Sequence, residues 1–477
     1  MTFEFTTLVF LVGSLILFYL ATPKLRPLVL AFVSLFYVTH ISGFAAAVML
    51  ATSAFAYIIG KVIHSNREKN SKLSLALTVF GVLVCALSLT VFKFGDLLNA
   101  RGKLPGSLFF LVLPLGFSYY VFQSISFIVD VKTGKVKHFP SPVDFIIYQS
   151  LFMKFISGPI ERAEDFFSQK EYVCNRKFLN EESLTLSFSY ILYGFCMKLI
   201  LANRFAKYTA ILLENPDFHS RKALIFGSLM YTLQIYTDFA GYSSIAIGFA
   251  SLFGIKLTQN FKAPYTAKSM SDFWRRWHIS LSNWLKDYIY IPLGGNRKGT
   301  LRKHLNTVVV FLVCGLWHGN GLNFVAWGLM HGFLSVADSL FDTFHVWDAK
   351  VMKLVRRILV FCSVSLAWVL FGSGSLSSAL RYIKYMFLGN DIDYSWTKEL
   401  ELLEMSNFQL YIMIIAVIVM IVMDVFSSVK KQDFPVLLAN LSLPVRLLLF
   451  YVLLVLLLVY GVYGSSEQVI GFMYMDF

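Results

Sequence analysis

Two histidines stand in tryptophan-rich settings. His278 closes the run Trp274-Arg275-Arg276-Trp277-His278, and His318 follows Trp317 between Gly315 and Gly319. Burial lowers an imidazole pKa and keeps the ring neutral, the form that takes a proton from a hydroxyl. The chemistry on offer is general-base catalysis. The glycines beside His318 let a substrate or a second backbone come close. A histidine in an apolar helix serves equally as a hydrogen-bonded core residue, and these residues alone leave both readings open. His331, also followed by a glycine, reads as a supporting residue.

Other groups extend the set. Asp238 lies in an otherwise apolar run, where a carboxylate needs a partner. Arg275, Arg276 or a histidine is expected to supply it, either as a helix-locking ion pair or as part of a catalytic site. Gln123, near the end of another apolar run, lines a polar cavity or caps that run. Tyr474 sits in the tail Gly471-Phe472-Met473-Tyr474-Met475-Asp476-Phe477. A phenol, with pKa about 10, ionises far more readily than a sugar hydroxyl, so its acyl ester is an activated carrier. The same aromatic tail also suits an interfacial anchor. Trp274 to Tyr288 reads as an amphipathic stretch whose rings and guanidinium groups favour the headgroup zone. The turn-rich 292–297 segment offers backbone amides and Arg297 to an anionic group.

The elements that must hold these residues are membrane helices. Of the 477 residues, 57% are hydrophobic and only 15% charged. A soluble chain carries about 25% charged residues. An all-α polytopic membrane protein follows, with about 11–12 segments of sufficient length. They fall near 3–21, 27–40, 42–60, 73–93, 107–130, 143–158, 183–203, 221–254, 306–340, 355–373, 407–427 and 443–463. The 143–158 run ends in Ser157-Gly158-Pro159 and suits a re-entrant element buried in protein. Gly315, Gly319, Gly321 and Gly328 imply close packing or an interrupted helix within 306–340. The first segment has an acidic Glu4 and no basic n-region, and it reads as a retained span rather than a signal peptide.

The net charge of +14 belongs to the loops between apolar runs, where Lys and Arg set topology. No basic stripe marks a nucleic-acid surface. With the amino terminus outside, the basic loops 61–72 and 132–138 reach the cytoplasm, while Arg101 and Lys103 fall outside. The five cysteines form no C-x-x-C pair, so neither a disulfide framework nor a metal site is indicated. The chain reads as one membrane-embedded domain over 1–477, with a core at 110–335 and a tail at 466–477.

The block DFWRRWHISLSNWLKDYIYIPLGGNR (272–297) closely resembles the membrane-bound O-acyltransferase family, as does GLWHG-x3-NF-x2-WG-x2-HG (315–332). The resemblance is to the bacterial branch that holds alginate and peptidoglycan O-acetyltransferases, with D-alanyl-lipoteichoic acid transferase more distant. PLGFSYYVFQSISFIVDV (114–131), FISGPIER (155–162), YTDFAGYSSIAIGFA (236–250) and NFKAPY (260–265) continue it. Two departures stand out. Ser244 replaces a frequent family aspartate, and Met475 replaces the second aromatic of the terminal F-x-Y-F-x-F signature.

The resemblance implies helices around a central tunnel and acyl transfer across the membrane. His318 would be the catalytic residue and His278 its companion on the cytoplasmic side. Trp274, Arg275, Arg276 and Trp277 would form a donor-side wall. Asp238, Trp317, Asn323, Gln123 and His331 would line the substrate tunnel or donor site. Tyr474 would carry the acyl group outward, flanked by Phe472 and Phe477. The expected donor is acetyl-CoA or another acyl thioester, with no tightly bound cofactor. An extracytoplasmic acetyltransferase or acyl-acceptor protein would be the partner, membrane lipid the surroundings, and a cell-envelope polysaccharide the acceptor. The expected location is the bacterial cytoplasmic membrane. Three rivals are D-alanyl transfer to teichoic acid from a carrier-protein thioester, a proton-coupled transporter, and a silent scaffold. Transporters often carry internal repeats and paired broken helices, neither of which is visible here.

Overall fold

The structure is a computed structural model that describes residues 5–100, 102–103, 112–176 and 180–463. The described residues form helices and connecting segments, with no strand among them. Among the described residues, seven helices are long and apolar enough to cross a bilayer: Gly43–Asn66, Ser71–Asn99, Glu181–Glu214, Leu322–Thr343, Lys350–Gly372, Asn407–Lys430 and Leu443–Tyr460. Hydrocarbon cannot satisfy backbone N–H and C=O groups, so spanning segments bond within themselves as helices. The protein is a multi-pass membrane protein. Several expected segments prove shorter or divided. Val9–Leu20 and Arg26–Ile41 are short apolar helices. The 306–340 run is two helices, Thr300–His318 and Leu322–Thr343, joined by a glycine-containing turn.

The chain gathers into two compact units, Met1–Phe188 with Ala246–Thr258, and Ser189–Ile245 with Gln259–Phe477. In the first unit, Gly60 admits the ring of Phe127, since a Cβ there would stand 2.5 Å from it. The helix Pro142–Ser150 starts with a Ser141–Asp144 capping box. The chain then turns, which brings residues 148 and 161 within hydrogen-bond distance. Tyr148 donates to the carbonyl of Glu161 at 2.8 Å, and Lys170 pairs with Asp144 at 2.7 Å. At its turn Lys154 is buried, donating to Gln123 Oε1 and to the Tyr148 carbonyl. Glu161, also buried, accepts from the backbone N–H and hydroxyl of Thr258.

In the second unit, close glycine contacts bring helices together. The Glu181–Glu214 span contains a π-helical stretch, Cys196–Ala202. Beside that stretch, Gly194 meets Gly241 of the helix Arg221–Leu252, where a Cβ on either would stand under 3 Å from the other's carbonyl oxygen (2.7 and 2.9 Å). Thr300–His318 and Leu322–Thr343 pack antiparallel with equal intimacy. A Cβ on Gly315 would lie 2.3 Å from the Phe324 oxygen, and one on Gly328 lies 2.4 Å from the Phe311 oxygen. Small residues of this kind let membrane helices exchange backbone contacts.

Candidate active site

The helix Met270–Arg276 begins with Ser269, whose side chain accepts from Asp272 N–H at 3.0 Å. Asp272 in turn holds Arg276 at 3.1 Å and Arg275 at 3.4 Å. Burial alone would raise the Asp272 carboxyl. The Lys268 amide and the Arg276 guanidinium outweigh it and hold the pKa below the usual carboxylate value. The helix stops at Trp277, and His278 takes a left-handed backbone at φ 43°. That region is uncommon for residues other than glycine and is strained. Asn260 secures the turn: its carbonyl accepts from Ile279 N–H and its Oδ1 from Ser280 N–H. The helix Ile279–Leu285 then continues.

The result differs from an interfacial anchor. Trp274, Trp277 and Trp284 are buried within the protein. His278 is buried as well, with its ring edge-on to Phe239 at 4.7 Å. Burial pushes the His278 pKa down to about 3, so the ring is neutral at physiological pH. The 292–297 turn is also not an open amide cradle. The N–H groups of Gly294, Gly295 and Arg297 bond to Ile291, Tyr290 and Gly294 carbonyls, and Asn306 ties down the Leu293 and Gly295 oxygens.

His318 ends its helix, with Gly319 N–H returning to the Gly315 carbonyl at 3.2 Å. Three aromatic rings wall the buried imidazole: Trp317 at 4.7 Å, Trp327 at 5.1 Å and Phe371 at 5.1 Å. Trp317 also faces His278 at 6.2 Å. One indole therefore touches both histidines. Asn323 donates through Nδ2 to the Leu370 and Ser373 carbonyls, pinning the post-His318 turn to the end of the helix Lys350–Gly372. His331 is fully buried against Trp327 at 4.9 Å and Trp274 at 5.0 Å.

The sequence-based set is thus partly united. His278, His318, His331, Trp274, Trp277, Trp317 and Asn323 lie in one unit on adjoining elements. Asp238 is there too, but its ion partner is not Arg275, Arg276 or a histidine. Lys198 pairs with it at 2.5 Å. The close approach of Gly194 to Gly241 puts the π-helical stretch carrying Lys198 directly beside Asp238, which the spacing of charges along the sequence could not reveal. Arg275 points to solvent, whereas Arg276 bonds to Thr266 and Ser428 as well as Asp272. Gln123 belongs to the other unit. Phe472, Tyr474 and Phe477 lie outside the described residues. Among the described residues no three His, Cys, Asp or Glu side chains gather as a metal site. Asn260, Lys198 and Phe371 are further contributors that inspection of charges and histidines missed. Asn260 alone carried a signal, as the first residue of the 260–265 match.

Buried imidazoles walled by indoles, inside a multi-pass helical protein, are groups whose chemistry suits proton transfer away from bulk water. The family follows from comparison: residues 119–359 match MBOAT, the membrane-bound O-acyltransferase family. The chain belongs to that family and is an O-acyltransferase. It is 33% identical to the probable alginate O-acetylase AlgI of Azotobacter vinelandii, over 85% of this chain and 81% of that protein. It is 31% identical to the peptidoglycan O-acetyltransferase of Helicobacter pylori, over 80% of this chain and 78% of that protein. The teichoic acid D-alanyltransferase of Bacillus subtilis shares 29% identity over 50% of this chain and 62% of that protein.

Proposed function

We propose that the protein moves an acetyl group from a cytoplasmic thioester, acetyl-CoA or a similar donor, to a hydroxyl acceptor serving a cell-envelope polysaccharide. The observation that carries this reading is the convergence of His278 and His318 on Trp317. His318 is the general base. It takes the proton of the attacking hydroxyl as that oxygen bonds to the thioester carbon; the C–S bond breaks and the proton passes to the leaving thiolate. The hydroxyl belongs to Tyr474, as a covalent relay, or to the final acceptor. Relay suits a reaction whose donor and acceptor occupy different compartments. His278 and the tryptophans around it form the donor-side wall.

The longer matches to acetylating relatives support acetyl over D-alanyl transfer, since the D-alanyl relative aligns over only 50% of this chain. In this reading the protein sits in the bacterial cytoplasmic membrane and hands the group to an extracytoplasmic partner protein, which places it on peptidoglycan or an exopolysaccharide. The test is envelope-polymer acetylation in cells carrying His318→Ala. Loss by at least about a hundredfold is expected for removal of a general base. Intact acetylation would sink the assignment.

A further inference from the structure

The last span, Leu443–Tyr460, has Leu457 as its one buried residue, and Leu448, Tyr451, Leu458 and Val459 face outward. Polar bonds tie the end of this bare helix to the π-helical stretch Cys196–Ala202 and the two residues after it. A π insertion adds a residue to the turn, so the helical ladder passes over a carbonyl. Asn203 N–H reaches back to the Lys198 carbonyl. The neighbouring Leu199 carbonyl accepts from Val462 N–H at 2.8 Å. Asn203 Nδ2 donates to the Val462 carbonyl at 2.9 Å, so both backbone groups of Val462 are held. Arg204 donates to the Tyr460 carbonyl at 2.5 Å and to Gln409 Oε1, and its Nε returns to Ile200. Asn203 and Arg204 are both buried.

Capping of a helix end explains the Arg204 bond to Tyr460. It does not explain Val462, which lies beyond the helix and is gripped on both sides by another span. Val462 stands twelve residues before Tyr474. Twelve residues reach at most about 40 Å, and a tether of that length makes the encounter of phenol and donor intramolecular. The gain depends on where the tether starts, because a root that swings with a bare helix spreads the phenol over more space. We infer that the Leu199 carbonyl, Asn203 and Arg204 form a latch that fixes the root of the tail and presents Tyr474 to the acyl donor at His318. The transfer is the one written above: the Tyr474 oxygen bonds to the acyl carbon, the C–S bond breaks, and the phenol proton passes through His318 to the thiolate. The inference rests on that relay reading and adds its positioning residues, none of which touches the donor.

Purified full-length protein with radiolabelled acetyl-CoA tests it, the label on Tyr474 being followed over a single turnover at a series of donor concentrations. Asn203→Leu removes the side-chain bond. Val462→Pro removes the N–H outside any helix, and Gly461, at ψ 137°, already has the extended backbone that a following proline requires. Each variant should label Tyr474 about tenfold more slowly at saturating donor, the worth of one well-made hydrogen bond. The donor concentration for half the maximal rate should stay at the wild-type value, and Asn203→Gln should recover part of the rate. Wild-type rates in Val462→Pro and Asn203→Leu overturn the latch alone, and so does a change confined to the donor concentration required. A wild type that places no label on Tyr474 overturns the relay reading and the latch with it, so the two failures are distinct.

Discussion

The His278 ring lies 6.2 Å from the Trp317 indole, at an interplanar angle of 67°. Trp317 is the residue immediately before His318 and touches it at 4.7 Å. The two histidines thus share a wall although separate elements carry them. Trp317→Ala removes that wall and is expected to lower acetylation by about tenfold or more, since small displacements of positioned groups are costly to rate. Trp317→Phe should recover much of the loss. The check is polymer acetylation at matched expression. Equal activity in both variants would show that the shared ring positions nothing.

The depressed pKa of His278 gives stability a pH dependence. Its folded value is about 3, against about 6.5 when unfolded. Between those values the unfolded chain holds a proton that the folded one does not. Stability is complete above about 6.5 and is lost as pH falls toward 3. At pH 4 the loss from this one group is on the order of 3 kcal/mol. His278→Gln should flatten that part of the profile. Thermal midpoints in detergent at pH 7, 5 and 4 measure it; parallel wild-type and variant curves would contradict the neutral, buried ring.

Much of this site was legible in sequence because its residue types are rare in membranes. His278, His318 and the tryptophans signal themselves, and the glycines of 315–328 announce a close hairpin. Spatial partners were harder. Arg275 and Arg276 looked like counter-ions for Asp238 because they were the nearest conspicuous cations in a basic block. Asp272 on their own helix claims both, at 3.4 and 3.1 Å. Lys198 was hidden inside an apolar span, and only the packing of two helices shows what it faces. The Trp274–Tyr288 stretch has the composition of an interfacial helix. Its rings turn inward because Asn260 and the left-handed His278 fold it into two short helices.

The Lys198–Asp238 pair carries its own prediction. Both side chains are about 95% buried. Removing one partner leaves a charge buried in apolar surroundings, at a cost of about 3–5 kcal/mol. Asp238→Leu and Lys198→Met should each lower the thermal midpoint sharply. The double variant should regain most of the loss, because a buried pair replaced by apolar groups is often near neutral. Additive losses in the double variant would mean that the two side chains do not act as a pair.

Asn323 ties the turn after His318 to the end of the neighbouring helix through two bonds, 3.2 Å to Leu370 and 3.0 Å to Ser373. Phe371 lies between those carbonyls in sequence and forms one wall of His318 at 5.1 Å. If His318 is the base, Asn323 is expected to position its imidazole through Phe371. Asn323→Leu fills similar volume but frees two buried carbonyls, each at about 1–3 kcal/mol. The expected kinetic outcome is a fall in kcat of about tenfold or more with little change in KM, since the donor-side wall around His278 is left in place. Asn323→Gln should restore part of kcat if one of the two bonds re-forms. A variant that lost stability but kept kcat, or one that raised KM alone, would assign Asn323 to the fold or to substrate binding instead.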